Sequence, residues 1–188
     1  MILIIDMNWK KDSLGYYEFV LPIASIARSM DKCTVKHHLR VTLKELSQCD
    51  IVILSGTALK DVATLNRLEK FQWLKETEKP VLGICAGMET IGMVYGMRLA
   101  HCLEIGMTQV TIVNENPLFS RDLKAYSLHS VCVEPSSDFE VWAESTKCIQ
   151  VIKHKIKPIC GVLFHPEVRN PELIKRFIQL NKANNLIF

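Results

Sequence analysis

The 188-residue chain holds only eight glycines, and none of them builds the glycine-rich loop ending in Lys-Ser or Lys-Thr that cradles a nucleotide's phosphates. Any ATP-dependent step must therefore come from another polypeptide. There is no Lys/Arg block either: 23 basic against 20 acidic residues give a net charge of +3, so charge offers no support for nucleic-acid binding. A small molecule or another protein is the expected partner. No apolar run approaches the ~20 residues of a membrane span, and Asp6 interrupts the apolar start Met1–Ile5, so neither a signal peptide nor a membrane helix is expected. The expected location is the cytoplasm. Seven cysteines (Cys33, Cys49, Cys85, Cys102, Cys132, Cys148 and Cys160) are an odd count with no CxxC pair. That spacing disfavours both a zinc site and a disulfide framework and suits a reducing compartment. No metal or cofactor is expected, and the cysteines other than Cys85 read as small buried hydrophobes.

What is present is enough apolar residue, 48% of the chain, for one well-buried domain spanning 1–188. Short apolar runs alternate with helical patterns: strands at Met1–Ile5, Thr34–His37, Asp50–Leu54 and Val81–Ile84, and helices at Tyr16–Met30, Lys60–Thr77 and Ala86 to about Tyr95. In Lys60–Thr77 the stripe is Leu65, Leu68, Phe71 and Trp73 or Leu74. After Gly96 the strands crowd together (Thr108–Val113, His129–Glu134, Glu140–Ala143, Ile149–Lys153, Gly161–Phe164), and Pro171 opens a last helix to about Asn181. The expected fold is α/β: an open, mostly parallel sheet covered by helices on both faces, with an antiparallel extension in the C-terminal half.

The chemistry is carried by two motifs. Gly83-Ile84-Cys85-Ala86-Gly87 follows the apolar run Pro80-Val81-Leu82, and Phe164-His165-Pro166-Glu167 ends a much later strand. A nucleophile must stand clear of the sheet, and a strand running straight into a helix presents its turn residue at that edge, with small neighbours because the turn is crowded. Alone, the first motif has a lesser reading as a packing turn, and the second is equally compatible with a strand-ending turn and a solvated carboxylate. Together they put a thiol, an imidazole and a carboxylate where the carboxyl ends of parallel strands meet. Cys85 is then the nucleophile, His165 its base and Glu167 the group that orients the ring. The backbone N–H groups of Ala86 and of the Gly56-Thr57 turn are candidates to receive an oxyanion. His37, His38, His101 and His154 lack such a context and are expected at the surface or at strand edges.

Gly83–Met88 and Gly161–Glu167 resemble the two signatures of the class I, or triad, glutamine amidotransferases. Leu103-Glu104-Ile105-Gly106, Asn116-Pro117-Leu118-Phe119, His129-Ser130-Val131 and Phe139–Ala143 are similar to further landmarks of that family in the usual order, so the resemblance covers nearly the whole chain. It implies hydrolysis of glutamine to glutamate and ammonia through a γ-glutamyl thioester on Cys85, with the ammonia used by a separate synthetase or synthase. Asn116–Glu167 is most similar to glutaminase subunits of GMP synthetases, in purine biosynthesis. Tyr126–Ser130 instead resembles the glutaminase component of anthranilate synthases. Glu89, His129 and Ser130 fall where the resemblance implies contact with the substrate.

Three departures qualify it. Glu89 stands where the family usually has Gln, and a carboxylate there would repel the α-carboxylate of glutamine. γ-Glutamyl hydrolases can carry Glu at that position, which keeps a peptidase reading open. The usual Ser-Gly-Gly-Pro turn is Ser55-Gly56-Thr57-Ala58, so the oxyanion peptide carries a side chain and low resting activity is expected. Leu163 replaces a common Gln, which reads as packing.

Overall fold

The computed structural model describes residues 1–182, and its centre is set by strands with no polar face. Ile2–Asp6 (β1), Cys33–His37 (β2), Ile51–Leu54 (β3) and Val81–Ile84 (β4) pair in parallel in the order β2-β1-β3-β4. All residues of β1, β3 and β4 are buried, as strands covered on both faces must be. Side chains alternate between the faces. Ile2 and Ile4 pack with Ala24 and Phe177, whereas Leu3 and Ile5 pack with Phe71 and Ile91. The first face is covered by Leu21–Arg28 (α1) and, from the C-terminal end, Pro171–Lys182. Leu43–Gln48 (α2) begins with a capping box between Thr42 and Glu45, a signal not read from the sequence. The second face is covered by Ala86–Val94 (α3).

The C-terminal half completes the sheet. Arg98–Ile112 (β5), Leu123–Glu134 (β6), Phe139–Glu144 (β7), Ile149–His154 (β8) and Ile159–Val162 (β9) extend it to the order β2-β1-β3-β4-β9-β8-β7-β5-β6. β9 is parallel to β4, and every neighbour beyond β9 is antiparallel. Four parallel and four antiparallel pairings make the sheet mixed rather than mostly parallel. The long β5–β6 hairpin accounts for the difference. Pro166–Arg169 (α4) and Pro171–Lys182 (α5) close the described chain, with α5 opening on the expected proline.

Two helices differ from expectation. Tyr16–Val20 forms a π turn that leads into α1, which places Pro22 in the first turn of α1, where its missing N–H is harmless. Lys60–Thr77 is not one amphipathic helix: Leu65–Lys75 runs as tight 3₁₀ turns broken at Arg67, whose φ of −139° is non-helical. Only Phe71 and Leu74 of its stripe are fully buried, and Tyr95 donates to the Leu74 carbonyl at 2.9 Å, so tertiary contacts rather than helical periodicity seat this segment. No helix among the described residues is long and apolar enough to cross a membrane.

Where β4 turns into α3, a Cβ on Gly83 would lie 2.6 Å from the Gly87 carbonyl carbon. Backbone cannot give way there. We expect Gly83→Ala to lower stability by about 1–3 kcal/mol, read as a lower urea midpoint with an unchanged m-value. An unchanged midpoint would show that the junction tolerates expansion.

Candidate active site

Cys85 is the residue between β4 and α3, and its backbone is held at φ 49° and ψ −107°. Such a conformation is rare for a non-glycine residue and persists only when its surroundings fix it. Here they do. The Cys85 N–H donates to the Val162 carbonyl at 2.8 Å, and the Cys85 carbonyl accepts from Glu89 N–H at 3.0 Å, which starts the helix. Close packing of Gly87 against Leu54, where a Cβ would come within 2.7 Å, leaves no room for a different turn. The thiol is thereby lifted over the ends of the strands and donates to the Leu128 carbonyl at 3.6 Å.

His165 arrives from the adjacent edge. Its N–H donates to the Tyr126 carbonyl at 2.8 Å just past the end of β9, and its ring is wholly buried, packed against Phe19 with centroids 4.9 Å apart. Nδ1 lies 2.8 Å from Glu167 Oε1 in the first turn of α4, while Nε2 is buried without a hydrogen-bond partner. Gly56 marks how closely ring and sulfur approach the β3 end: a Cβ there would sit 2.5 Å from His165 Cε1 and 3.5 Å from Cys85 Cβ. Thiol, imidazole and carboxylate are thus brought together, with the thiol donating to the Leu128 carbonyl. Burial pushes the Cys85 thiol up, with His165 pulling the other way. Burial also opposes charge on His165, but the facing sulfur and Glu167 outweigh it and hold the ring well above the ordinary histidine range. An imidazole fixed at Nδ1 by a carboxylate can accept a thiol proton at Nε2.

A cavity of about 60 Å³ opens beside the sulfur, bounded by Thr57, Glu89, Leu128, Ser130 and Val131 among others. Glu89, on the first turn of α3, is buried, and burial pushes its carboxyl up to about 7, with His165 pulling it down. Ala86 and Gly56 flank the sulfur in the chain and in space, respectively. The Thr57 hydroxyl donates to the Asp61 carbonyl at 3.2 Å, which ties the turn to the segment after it. Ser130 lines the cavity. His129 borders it too, but its ring is fully enclosed, with Nδ1 3.1 Å from the Cys102 carbonyl and Nε2 3.1 Å from Glu104 Oε2. The expected substrate contact is not offered by this ring.

Other expectations need correction. His37, His38 and His154 are buried rather than superficial: His37 Nε2 meets the Asn8 carbonyl at 2.8 Å, His38 stacks on Phe71, and His154 packs edge-on to Tyr95 and Phe139. His101 is exposed. Cys33 and Cys148 are half-buried and the other cysteines buried. Sequence reasoning also missed that Cys102, Glu104, His129 and Cys148 converge, with one ligand-type atom from each lying within 4.8 Å of the others. Cys102 and Glu104 come from β5, His129 from β6 and Cys148 from the turn before β8, so no compact metal-ligand motif announces them.

The family model described as glutamine amidotransferase class-I matches residues 22–181. The chain is 38% identical over 112 residues to the A subunit of the glutamine-hydrolyzing GMP synthase of Methanocaldococcus jannaschii, an alignment covering 54% of this chain and 60% of that protein. It is 34% identical over 138 residues to the corresponding A subunit of Saccharolobus solfataricus, covering 69% of this chain and 73% of the relative. In fold it is similar to a Thermoplasma acidophilum protein whose crystal structure is described as that of a GMP synthase A subunit, with a TM-score of 0.82, 21% identity, and 97% and 95% of the two chains covered.

The buried carboxyl of Glu89 generates a pH signature. In the unfolded chain it ionises in the ordinary carboxylate range, whereas in the folded chain it holds its proton to about pH 7. The folded state therefore binds more protons in that window, and stability falls as pH rises through it, then levels off above. We expect wild type to lose roughly 3 kcal/mol relative to Glu89→Gln between about pH 4 and 8, the free energy of a shift of that size. Parallel stability–pH curves would show that folding leaves the ionisation of Glu89 unshifted.

Proposed function

The chain belongs to the class-I glutamine amidotransferases, and from that premise we propose that it is a single glutaminase domain that hydrolyses glutamine and hands the ammonia to a separate GMP synthetase polypeptide. The single observation that carries this reading is the approach of Cys85, His165 and Glu167 at one rim, with Nδ1 on Glu167 and Nε2 unpartnered. The names of the matched relatives, glutamine-hydrolyzing components of GMP synthase, support the choice of acceptor.

In this mechanism Cys85 Sγ attacks the side-chain amide carbon of glutamine as its proton passes to His165 Nε2. The backbone N–H groups of Ala86 and of Gly56 and Thr57 receive the oxyanion; one such donor is worth about 3–4 kcal/mol of barrier. Collapse of the intermediate breaks the C–N bond, His165 returns the proton to the leaving nitrogen, and ammonia departs from a γ-glutamyl thioester. His165 next removes a proton from water, whose oxygen attacks the thioester; glutamate leaves and the proton ends on Cys85. Glu167 holds the ring and balances its charge throughout.

Glu89, Ser130 and the backbone of the 128–131 segment hold the substrate, and His129 serves by fixing that segment. A Glu89 carboxyl that keeps its proton to about pH 7 can donate a hydrogen bond as a glutamine amide would, which removes much of the repulsion toward the substrate's α-carboxylate. The cavity, about 60 Å³, is far below the ~300 Å³ at which small-molecule sites begin. Glutamine needs the Thr57 turn to yield, and docking of the synthetase is the event that opens it. Low activity of the isolated chain follows.

Treatment with a glutamine-mimicking electrophile, followed by peptide mapping, should find the adduct on Cys85. Cys85→Ser should lower ammonia release by about 10³-fold or more, and adding the synthetase should raise wild-type turnover. Cleavage of a γ-glutamyl peptide without ammonia from glutamine would overturn the reading in favour of a γ-glutamyl hydrolase.

A further inference from the structure

Adjoining the 128–131 segment lies a second buried cluster that the glutaminase chemistry does not use. Glu104 of β5 pairs in register with His129 of β6, just after the bulge between His101 and Glu104 that contains Cys102, and Cys148 comes from the turn that leads from β7 into β8. Cys102, Glu104 and His129 are buried, and Cys148 is half-buried. His129 Nε2 stands 3.1 Å from Glu104 Oε2, and Cys148 Sγ 3.7 Å from the same oxygen. The edges of a tetrahedral zinc site, built from bonds of ~2.0–2.3 Å, are about 3.3–3.8 Å. Those two spacings are close to that, and one ligand-type atom from each of the four residues lies within 4.8 Å of the others.

The hydrogen bonds around the cluster already have the form of an outer shell. His129 Nδ1 faces the Cys102 carbonyl at 3.1 Å, the contact that fixes the tautomer of a metal-binding imidazole and leaves Nε2 as the donor atom. With Nδ1 carrying the proton, Nε2 and the Glu104 carboxylate meet lone pair to lone pair, an arrangement that a cation between them satisfies. Fully buried Gln150 donates to Glu104 Oε2 at 2.6 Å, as partners of a coordinating carboxylate do, and Ser145 Oγ accepts the Cys148 N–H at 3.1 Å. Two sulfurs, one imidazole and one carboxylate are a borderline-soft set suited to Zn²⁺.

We propose that Cys102, Glu104, His129 and Cys148 form a closed structural zinc site that pins the β5–β6 hairpin to the β7–β8 turn. With four protein ligands no coordination position is left for chemistry. Its role is to hold the 128–131 segment, whose Leu128 carbonyl receives the Cys85 thiol. No spacing motif signals it, because the hairpin register and one turn assemble it.

The test uses the full-length chain, purified under reducing conditions. Elemental analysis after growth with zinc should give one zinc per chain, and chelation should lower the melting temperature, restored by Zn²⁺ alone. Titration of the chelated wild type with Co²⁺ should produce tetrahedral d–d bands and thiolate-to-cobalt charge transfer, saturating at one equivalent. Cys102→Ser and Cys148→Ser should each lose the tight zinc and the charge-transfer intensity, while Cys33→Ser, on distant β2, should keep both. Because wild type itself carries the cobalt signature, misfolding of a variant does not decide the outcome. Wild type that binds no Co²⁺ through thiolate, or a Cys102–Cys148 disulfide in the native protein, or zinc retained by both folded serine variants would overturn the proposal.

Discussion

One backbone conformation, the positive φ of Cys85, is what the site depends on. Left to itself a cysteine at φ 49° is strained by about 1–3 kcal/mol. Parallel pairing of β4 with β3 and β9 fixes the strand that enters the turn, α3 fixes the chain that leaves it, and Gly83 and Gly87 allow the two to touch. The same pairing with β9 aims the following residues at the thiol. His165 reaches it because Leu163 N–H is held by the Gln150 carbonyl and His165 N–H by the Tyr126 carbonyl, both at 2.8 Å. Sheet register thus becomes side-chain geometry with few adjustable torsions between them.

Burial then sets the electrostatics. His165, Glu167, Cys85 and Glu89 are all enclosed, where charges act on one another with little screening by water. Glu167 keeps one ring nitrogen occupied, and the other is buried without a hydrogen-bond partner. Glu89, which a solvated setting would leave ionised, is pushed up to about 7 by the packing that closes the pocket, so a substantial fraction keeps its proton near neutral pH. A residue that reads in the sequence as an added negative charge is softened by its surroundings.

The parallel half of the fold was legible because its strands are short, fully apolar and punctuated: Ile51–Leu54 and Val81–Ile84 admit little else. The thiol, imidazole and carboxylate were legible because strand-end chemistry leaves local marks, small residues around Cys85 and a proline after His165. What was not legible is what long-range pairing decides. Arg98–Ile112 alternates exposed and buried residues over a length that its polar positions disguise, and the seating of Leu65–Lys75 depends on contacts with α3 rather than on its own periodicity. His37, His38 and His154 lack sequence context because their partners, the Asn8 carbonyl and aromatic rings, come from elsewhere in the chain. Glu104 and His129 are neighbours only through hairpin register, and Cys148 joins them only through the turn before β8.

The central claim is that the sulfur of Cys85 and the ring of His165 share a proton. Its most direct measurement is the rate of Cys85 alkylation by iodoacetamide as a function of pH, followed by mass spectrometry so that the other cysteines do not intrude, in wild type and in His165→Gln. The account predicts that wild type reacts at neutral pH and that the variant loses this reactivity, recovering it only where an isolated buried thiol ionises, well above the ordinary range. Superimposable profiles in two folded proteins would contradict it.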